Sequence, residues 1–533
     1  MQRGNNSRGG MVVAPHYLAA EAGRDILRAG GTAIEAVVAA AASIAVVYPH
    51  MNAIDGDGFW LIHEPGKAPV AIDASGVSAR AADRRFYARH AAIPERGPLA
   101  ALTVAGTISG WQEALALSKA WSNPLPLPDL LYSAIRQARE GVAVTRSQAE
   151  LTRQKLASLR DQPGFAETFL NGGKPPEAGD LQRLPELAAT LMHLAEVGLD
   201  DFYRGDLGHT LGKQLSDLGS PLTAADLADY WAQRVTPLQL KLKEATLYNH
   251  PPPTQGLASL IILGLFERLQ ARQHEKMQGE SFAHFHALIE ATKQAFLVRD
   301  RVVTDPGRVP QPPATWLTDS ALDSMLADID DEQALAWPQQ AKPGDTVWLG
   351  AIDQAGRAVS FIQSIYWEFG SGVVVPGTGV TWQNRGISFS LNPDNLNALE
   401  PGRKPFHTLN PALALFDDGR VMPYGTMGGE GQPQTQAAVF SRYAHFGQSL
   451  ADAIAAPRWL LGRTWGEEST SLKLESRFDP ALVAHLQQAG HEVAVLGETF
   501  SDTMGHAGAL VWHPGGEIEG ASDPRCDGAA AAV

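Results

Sequence analysis

The sequence changes character at Gly344-Asp345-Thr346-Val347-Trp348-Leu349-Gly350-Ala351-Ile352, where a helical periodicity gives way to a strand pattern. β-Branched and apolar residues predict a strand over 346–352. The following Asp353-Gln354-Ala355-Gly356-Arg357 has the composition of a hairpin loop, and residues 358–365 predict the returning strand. The pattern therefore places Thr346 at the start of a hairpin strand.

Thr346 has two interpretations. A threonine at a strand start commonly reflects β-propensity and nothing more. Alternatively, chain cleavage makes Thr346 a new N-terminus, whose α-amine has a pKa of about 7.7–8.0 and suits a general base at neutral pH. A hydroxyl beside a free amine is an activated nucleophile, and branching at Cβ restricts its χ1.

Composition limits the classes of protein that this chain can be. At ~150 residues per domain, 533 residues correspond to three or four domains. With 44% hydrophobic and 19% charged residues, the chain can form a large core. Lys plus Arg (43) minus Asp plus Glu (58) gives −15, which argues against a nucleic-acid partner. The single cysteine, Cys526, excludes an intrachain disulfide and a Cys-rich zinc site.

The sequence shows no segment typical of export or of a membrane span. The first ten residues are polar and lack the apolar core of a secretory signal. The longest apolar stretch, residues 36–47, contains Ser43 and is shorter than the ~20 residues that a spanning helix needs. We therefore expect a soluble cytoplasmic protein without a membrane partner.

Periodicity predicts a helix-rich half followed by a strand-rich half. Met11-Val12-Val13 predicts a strand, and Thr32 with Glu35 has the spacing of a capping box. Further strands are predicted at 59–63 and 70–72, and a mostly helical region at 107–340. The helices are expected at 18–27, 115–120, 130–140, 187–197, 258–271, 449–455 and 480–489. This organisation favours layered α/β packing over separable domains.

Three weaker signals do not support a metal or a cofactor. Asp55-Gly56-Asp57-Gly58 resembles the start of a calcium loop but lacks the closing Glu, which favours a tight turn. His284-Phe285-His286 has i,i+2 spacing, so surface or core histidines are favoured over ligands. The glycine-rich segment 425–431 lacks the Lys-Ser/Thr of a phosphate loop, although its backbone amides could form an oxyanion site.

Several motifs in order along the chain resemble the γ-glutamyltranspeptidase family of N-terminal nucleophile hydrolases. They extend from about Gly10 to the C-terminus and include the opening Gly10-Met11-Val12-Val13-Ala14, Pro251-Pro252-Pro253-Thr254, the pair Gly428-Gly429, and Gly520-Ala521-Ser522-Asp523-Pro524-Arg525. Each is weak alone. Their shared order identifies the chain as a member of this family.

The resemblance implies an α/β four-layer αββα sandwich formed by two subunits cut from one precursor. Cleavage between Asp345 and Thr346 would give a large subunit of residues 1–345 and a small subunit of residues 346–533, with a dimer of these heterodimers left open. Thr346 would attack the Asp345 carbonyl during maturation and the substrate amide during turnover. Ser364 matches a second hydroxyl that hydrogen-bonds the nucleophile, and Gly428 and Gly429 match the oxyanion donors.

The substrate-binding positions depart from the transpeptidase pattern. Ser75 replaces an Arg, and His407-Thr408 replaces a Ser-Ser pair. The residues that grip a glutamyl α-amine are replaced by Tyr366, Arg385 and Ser388. Because an Arg repels an ammonium and can bind a carboxylate bidentately, Arg385 and His407 are predicted to hold a substrate carboxylate, with Thr408 and Tyr366 beside them. The alternative for Arg385 is a structural ion pair.

Other segments resemble an acylase-like branch that includes oxamate amidohydrolases and transpeptidase-like cephalosporin acylases. These are Thr346-Val347-Trp348, Trp382-Gln383-Asn384-Arg385-Gly386 and Trp465-Gly466-Glu467-Glu468-Ser469. Relatives tend to have Gly where this chain has Ala53 and Asp55, which leaves open whether residues 52–58 affect maturation.

The sequence thus predicts a self-processing amidohydrolase that needs no cofactor. Its expected substrate is a small carboxylate-bearing amide, first of all oxamate, which would give oxalate and ammonia. The alternatives are a cephalosporin or glutaryl acylase, a γ-glutamyl hydrolase or transferase acting on glutathione-like substrates, and, from another class, a non-catalytic binding protein that keeps the fold.

Overall fold

The molecule is built around two antiparallel seven-stranded sheets that face each other, as seen in a computed structural model that describes residues 4–273, 277–337, 345–462 and 470–533. Sheet I has the order β21 (Ala529–Ala532), β2 (Gly10–Ala14), β10 (Asp345–Asp353), β11 (Ala358–Tyr366), β3 (Asp57–His63), β4 (Val70–Ala74) and β7 (Gln233–Val235). Sheet II has the order β1 (Gly4–Ser7), β20 (Ile518–Ser522), β19 (Ala507–Trp512), β15 (Val421–Thr426), β14 (Ala412–Phe416), β9 (Ala245–Asn249) and β8 (Leu238–Lys241).

Helices cover the outer face of each sheet. The first group packs on sheet I and comprises α1 (Tyr17–Arg28), α2 (Ala33–Val47), α3 (Thr107–Ser118), α4 (Leu127–Glu140), α5 (Arg146–Leu159), α6 (Phe165–Phe169), α7 (Pro185–Val197), α8 (Asp201–Arg204), α9 (Asp206–Asp217) and α10 (Ala224–Ala228). The second packs on sheet II and comprises α11 (Gly256–Gln273), α12 (Phe282–Val302), α13 (Asp319–Ala327), α14 (Gly431–Phe440), α15 (Leu450–Ala455) and α16 (Pro480–Gln488). The predicted four-layer αββα sandwich is therefore confirmed.

Short strands complete the periphery. β5 (Val142–Ala143) pairs with β6 (Leu181–Gln182), and β12 (Val374–Val375) pairs with β13 (Val380–Thr381). A three-stranded sheet contains β16 (Trp459–Leu461), β17 (Leu472–Leu474) and β18 (Val493–Val495). No helix among the described residues combines the length and the apolar character needed to cross a membrane.

Trp348 fills the space between the two sheets. It is buried, and its indole N–H donates to Oγ of Ser360 at 3.0 Å. A Cβ atom on Gly425 or Gly508 would lie within 2.2 or 2.5 Å of the Trp348 ring, so both positions require glycine. Trp348, two residues after the predicted nucleophile Thr346, therefore packs β10 against sheet II.

The capping box at α2 is confirmed. The Thr32 amide donates to Oε2 of Glu35 at 2.7 Å, and the Glu35 amide donates to Oγ1 of Thr32 at 3.2 Å. All residues of the following helix are buried. The capping box pairs the backbone amides of Thr32 and Glu35, which allows the start of α2 to be buried between sheet I and the surrounding helices.

The sequence-based secondary structure missed several strands. Residues 107–340 were expected to be mostly helical, yet β8 and β9 form one edge of sheet II and β7 one edge of sheet I. The Ala-rich tail forms β21, which pairs with β2. These strands are short and weakly patterned, so their pairing partners, rather than local propensity, determine their conformation.

Candidate active site

Thr346 lies in a β-bulge near the start of β10. Asp345 pairs with Tyr366 and Val347 with Gln363, so Ser364 and Ile365 together oppose Thr346. The bulge interrupts the regular ladder, and the Thr346 side chain is fully buried. Bulges are over-represented next to active sites, where they reorient a side chain. The α-amine of Thr346 becomes available as a base only when its peptide bond to Asp345 is cut.

Ser364 connects the bulge to Arg385. Its Oγ accepts a hydrogen bond from the Tyr366 amide at 2.9 Å and one from Nη2 of Arg385 at 3.2 Å. Tyr366 has φ 82°, which is uncommon for a residue other than glycine and turns the chain out of β11. The guanidinium of Arg385 lies 4.1 Å from the centre of the Tyr366 ring. Three predicted site residues are thus brought together.

Arg385 presents unpartnered donors inside the protein. It is fully buried at the start of a 3₁₀ helix, Arg385–Ser388. Its Nε and Nη1 atoms have no hydrogen-bond partner, and within the described residues no carboxylate oxygen lies within 4.0 Å of the guanidinium. Burial lowers its pKa to about 10, so it stays cationic at neutral pH. Among the described residues Arg385 therefore has no close ion pair, whereas the sequence left a structural ion pair open as its alternative role.

The residues around Arg385 hold its backbone firmly. The Trp382 indole N–H donates to the Thr103 carbonyl at 3.1 Å, and the side-chain amide of Asn384 donates to the Glu95 carbonyl at 3.0 Å. A Cβ on Gly386 would lie 2.3 Å from Leu102. These contacts therefore hold the backbone of residues 382–386 in place, and with it the position of the Arg385 side chain.

His407 and Thr408 lie on a segment whose backbone is hydrogen-bonded to the Pro-rich turn at residues 251–255. The His407 amide donates to the Pro253 carbonyl at 2.9 Å, and its carbonyl accepts from the Gln255 amide at 3.0 Å. Burial, together with the charge of Arg385, lowers the pKa of His407 well below its usual value, so the imidazole is neutral. Both ring nitrogens of His407 and Oγ1 of Thr408 are buried without a hydrogen-bond partner.

Gly428 and Gly429 form a left-handed turn immediately before α14. Their φ angles are 117° and 50°, which favour glycine. The Gly431 amide donates to the Gly428 carbonyl at 2.7 Å, and the Gln255 side chain donates to the Gly429 carbonyl at 2.8 Å. The positive end of the α14 dipole favours negative charge at this turn. The glycine turn and the adjacent helix N-terminus are thus compatible with an oxyanion site.

Gln432 is a site residue that the sequence analysis missed. Its Nε2 donates to Oγ1 of Thr346 at 3.4 Å, while its Oε1 accepts from the Asn410 amide at 3.1 Å. The second bond fixes which end of the amide faces Thr346. Its position three residues after the glycine pair, in the first turn of a helix, is the sequence signal that could have identified it.

Asp57 is the second missed residue. It pairs with Ser364 across β3 and β11, and its Oδ1 accepts from the Gly76 amide at 2.8 Å and from Nε2 of Gln383 at 3.2 Å. Burial raises its pKa to about 7 against the opposing effect of Arg385. The sequence analysis assigned this residue to a tight turn; the turn ends before it, and Asp57 begins β3.

The loop before β3 contains a buried carboxyl group. Both oxygens of Asp55 lack hydrogen-bond partners, and burial raises its pKa well above the usual value. Burial thus favours the neutral form of this carboxyl group. Ala53 is also buried.

The two remaining substituted positions have structural partners. Oγ and the amide of Ser75 donate to Oδ1 of Asp73 at 2.5 and 2.9 Å. Oγ of Ser388 donates to the carbonyl oxygens of Arg385 and Phe406. Lys404, which the sequence analysis did not single out, forms an ion pair with Asp73 at 2.7 Å.

One group of potential metal ligands lies away from this site. His286, Glu290 and His491 are buried with ligand atoms within 4.8 Å of one another. The two imidazoles hydrogen-bond each other at 2.9 Å, and Glu290 pairs with Lys293 at 2.7 Å. These internal bonds and the ammonium charge of Lys293 favour core histidines here, as the sequence predicted for His286.

Two predicted features lie outside the described residues: Gly344 and the segment Trp465-Gly466-Glu467-Glu468-Ser469. The backbone of Asp345 is described at the start of β10. The described site therefore contains Thr346, Ser364, Tyr366, Arg385, His407, Thr408, Gly428 and Gly429, together with Gln432 and Asp57.

Comparison with known proteins gives a consistent result over the full chain. The sequence model of the family described as gamma-glutamyltranspeptidase matches residues 19–533. An oxamate amidohydrolase proenzyme from Klebsiella pneumoniae is 54% identical over 100% of both chains. A glutathione hydrolase-like proenzyme, YwrD, from Bacillus subtilis is 40% identical over 98% of both. The crystal structure of cephalosporin acylase from Bacillus halodurans has a TM-score of 0.89 at 31% identity, covering 100% of this chain and 97% of that one.

Proposed function

The chain belongs to the γ-glutamyltranspeptidase family, and we propose that it is a self-processing amidohydrolase whose substrate is oxamate. It is a hydrolase of the N-terminal nucleophile type. The proenzyme names of its relatives support two subunits derived from one precursor and an amide substrate. The finer assignments below, namely the residues, the cleavage site and the acyl group, are our proposal.

The proposed reaction uses Thr346 twice. Its hydroxyl first attacks the Asp345 carbonyl, and the peptide C–N bond breaks as the acyl group moves to the Thr346 oxygen, which forms an ester and frees the α-amine. Water then hydrolyses this ester, which yields chains 1–345 and 346–533 and restores the hydroxyl. In turnover the hydroxyl attacks the oxamate amide carbon while the α-amine accepts the hydroxyl proton and delivers it to the departing ammonia. Water then attacks the oxalyl ester, releasing oxalate and restoring Thr346.

The backbone amides at Gly428 and Gly429 are proposed to bind the oxyanion in both half-reactions. Loss of one such donor typically raises the barrier by ~3–4 kcal/mol. The left-handed turn and the adjacent N-terminus of α14 support this role. Ser364, across the ladder from the bulge that contains Thr346, is proposed to orient the nucleophile.

The observation that carries the substrate assignment is the buried guanidinium of Arg385, whose Nη2 donates to Ser364 while its Nε and Nη1 have no hydrogen-bond partner among the described residues. Ser364 on β11 is opposite the bulge that contains Thr346 on β10, and neighbouring strands lie about 4.8 Å apart. Arg385, which donates to Ser364, is therefore close to the nucleophile. This closeness fits an acid whose carboxylate is bonded directly to the reacting carbonyl, as in oxamate. A glutaryl group would place three methylenes between them.

His407, Thr408 and Tyr366 are proposed to complete the pocket. The unpartnered polar atoms of His407 and Thr408 can bond to a small polar ligand, and the Tyr366 ring supports the Arg385 plane. Assembly of two heterodimers and a cytoplasmic location stay predictions.

Turnover of three amides tests the proposal. Purified, processed protein is assayed with oxamate, glutaryl anilide and γ-glutamyl anilide, and kcat/KM is compared. We expect oxamate to be preferred by at least tenfold. Preference for glutaryl anilide would support the acylase alternative suggested by the similarity to cephalosporin acylase. Turnover of the γ-glutamyl compound alone would contradict the pocket assignment.

A further inference from the structure

Three residues from separate parts of the chain meet at the proposed carboxylate pocket. Asp57 begins β3, Arg385 begins the 3₁₀ helix, and His407 lies on the segment that pairs with the Pro-rich turn. All three side chains are fully buried. Within the part of the chain that the structure describes, hydrogen-bond partners are lacking for Oδ2 of Asp57, both ring nitrogens of His407 and two guanidinium nitrogens of Arg385.

The two oxygens of Asp57 have different surroundings. Oδ1 already accepts two hydrogen bonds, from Gly76 and from Gln383. Oδ2 faces Nε2 of His407 at 3.6 Å. A proton on Asp57 therefore belongs on Oδ2, where the neutral imidazole can accept it in a hydrogen bond once the separation of 3.6 Å shortens to hydrogen-bond distance.

The charged and titratable groups around Asp57 limit what the pocket can bind. These groups are Arg385, His407, Asp73, Asp55, Tyr203 and Tyr230. Asp73 is paired with Lys404, His407 and the two tyrosines are neutral at pH 7, and burial raises the pKa of Asp55 well above its usual value. Arg385 is thus the one cation facing Asp57 that has no other carboxylate, within the described part of the chain.

Binding of a carboxylate would place two anions beside this single guanidinium. With Asp57 ionised, the buried pocket would carry a net negative charge, which is costly in a low-dielectric environment. Protonation of Asp57 removes this excess charge. Burial already raises the pKa of Asp57 to about 7, and a second carboxylate raises it further.

We propose that the pocket binds the substrate's carboxylate together with one proton, which Asp57 takes up from solvent on Oδ2 and shares with Nε2 of His407. This inference rests on the proposed function and deepens it. The bond fixes His407 with its remaining proton on Nδ1, which then serves as a donor. Asp57 is accordingly the group that decides whether the pocket accepts an anion or a neutral ligand.

The Asp57→Asn variant mimics the protonated state. Its side-chain oxygen keeps the bonds from Gly76 and Gln383, and its NH₂ group replaces the protonated Oδ2 beside His407. The measurement is the ratio of KM for oxamate to KM for its neutral ethyl ester between pH 6 and 9. The ratio cancels titration of the Thr346 amine, which affects both substrates.

In the unmodified protein we expect this ratio to be constant below pH 6.5 and to rise toward tenfold per pH unit above pH 7. In Asp57→Asn we expect it to be independent of pH. The same rise in both proteins would overturn the inference, as would a flat profile in the unmodified protein.

A second measurement does not depend on the variant. Pyruvate, which has a methyl group in place of the oxamate NH₂, is titrated calorimetrically into the unmodified protein at pH 8 in phosphate and in Tris. The difference in heats reports protons taken up, and we expect about one per site. No uptake on binding overturns the inference even if Asp57→Asn fails to fold.

The outcomes separate this inference from the proposed function. Oxamate turnover with a pH-independent KM ratio refutes the proton uptake and leaves the amidohydrolase assignment intact. Processed protein that binds pyruvate with proton uptake but does not hydrolyse oxamate refutes the substrate assignment alone.

Discussion

The side-chain amide of Gln432 donates to Oγ1 of Thr346, with Nε2 and Oγ1 3.4 Å apart. Because the opposite end of the Gln432 amide is held by the Asn410 backbone, the donor cannot rotate away without losing that bond. A donor to Oγ1 stabilises the oxygen as it loses its proton. The proton of the hydroxyl is then directed to another acceptor, which is the α-amine in the proposed reaction.

Replacing Gln432 by Glu keeps the acceptor for Asn410 but removes the donor to Thr346. A hydrogen bond to a charging oxygen contributes about 1.5–3 kcal/mol, so we expect kcat to fall by roughly 10- to 100-fold. Steady-state kinetics on fully processed protein measure this change. Gln434→Glu is the matched control, since the Gln434 side chain bonds to Glu430 and Leu461 backbone atoms. An equal loss of kcat in both variants would contradict a direct role for Gln432.

Replacing Arg385 by Gln removes the proposed partner of the substrate carboxylate. Truncating one side of a buried charge pair costs 2–5 kcal/mol, so kcat/KM for oxamate should fall by at least about 30-fold. The ethyl ester of oxamate lacks the charge, and its kcat/KM should change by less than about fivefold. A parallel loss for acid and ester would show that Arg385 acts on the fold or on Ser364 instead.

The glycine turn is held by a buried ion pair. Arg299 donates to Oε1 of Glu430 at 2.6 Å and to Oε1 of Gln255 at 3.1 Å, and Gln255 in turn binds the Gly429 carbonyl. Arg299→Met removes this guanidinium from the buried Glu430 carboxylate, so we expect the free energy of unfolding to fall by about 3–5 kcal/mol.

Urea denaturation of unprocessed Thr346→Ala protein measures this effect without interference from cleavage. Adding Glu430→Gln to Arg299→Met should restore part of the lost stability, because the buried carboxylate that Arg299 neutralised is then gone. A double variant less stable than the single one would contradict an electrostatic origin.

The closing motif, residues 520–525, contains the buried carboxylate of Asp523, which pairs with Arg458 and Arg525. Burial would raise its pKa, but the guanidiniums of Arg458 and Arg525 and two backbone amides lower it to about 2. Because the pKa is lower in the folded than in the unfolded chain, this carboxylate stabilises the fold above pH 4. The contribution, about 2 kcal/mol, is lost as the pH falls from 4 through 2.

Thermal unfolding between pH 2 and 6 tests this effect by comparing the unmodified protein with Asp523→Asn. The variant should be destabilised near pH 6 by about 3–5 kcal/mol, and the two stabilities should converge toward pH 2. A constant difference across this pH range would contradict the ionised pair.

The strongly patterned parts of the fold were predictable from sequence. The β10–β11 hairpin, β2, β3 and the capped start of α2 lie where periodicity and capping rules placed them. In contrast, β9 and β21 depend on pairing with strands far away in the chain. Local pattern contains no information about such partners, and the Ala-rich composition of β21 suggested no strand at all.

Residues of the candidate site were predictable from sequence only where they lie in a motif that can be compared with the family. Thr346, Ser364 and the glycine pair follow from the family resemblance, and Arg385 from a departure from it. Asp57 and Gln432 were missed because their importance arises from contacts across 307 and 86 positions of sequence separation, to Ser364 and Thr346 respectively. A polar residue at the start of a strand or helix does not by itself reveal such a neighbour.

N-terminal sequencing of catalytically active protein tests the central claim most directly, since every proposed step of substrate turnover needs the free amine of Thr346. We predict two chains, the smaller beginning Thr-Val-Trp-Leu, and a single inactive chain for Thr346→Ala. Active protein with an intact bond between Asp345 and Thr346 would contradict the account.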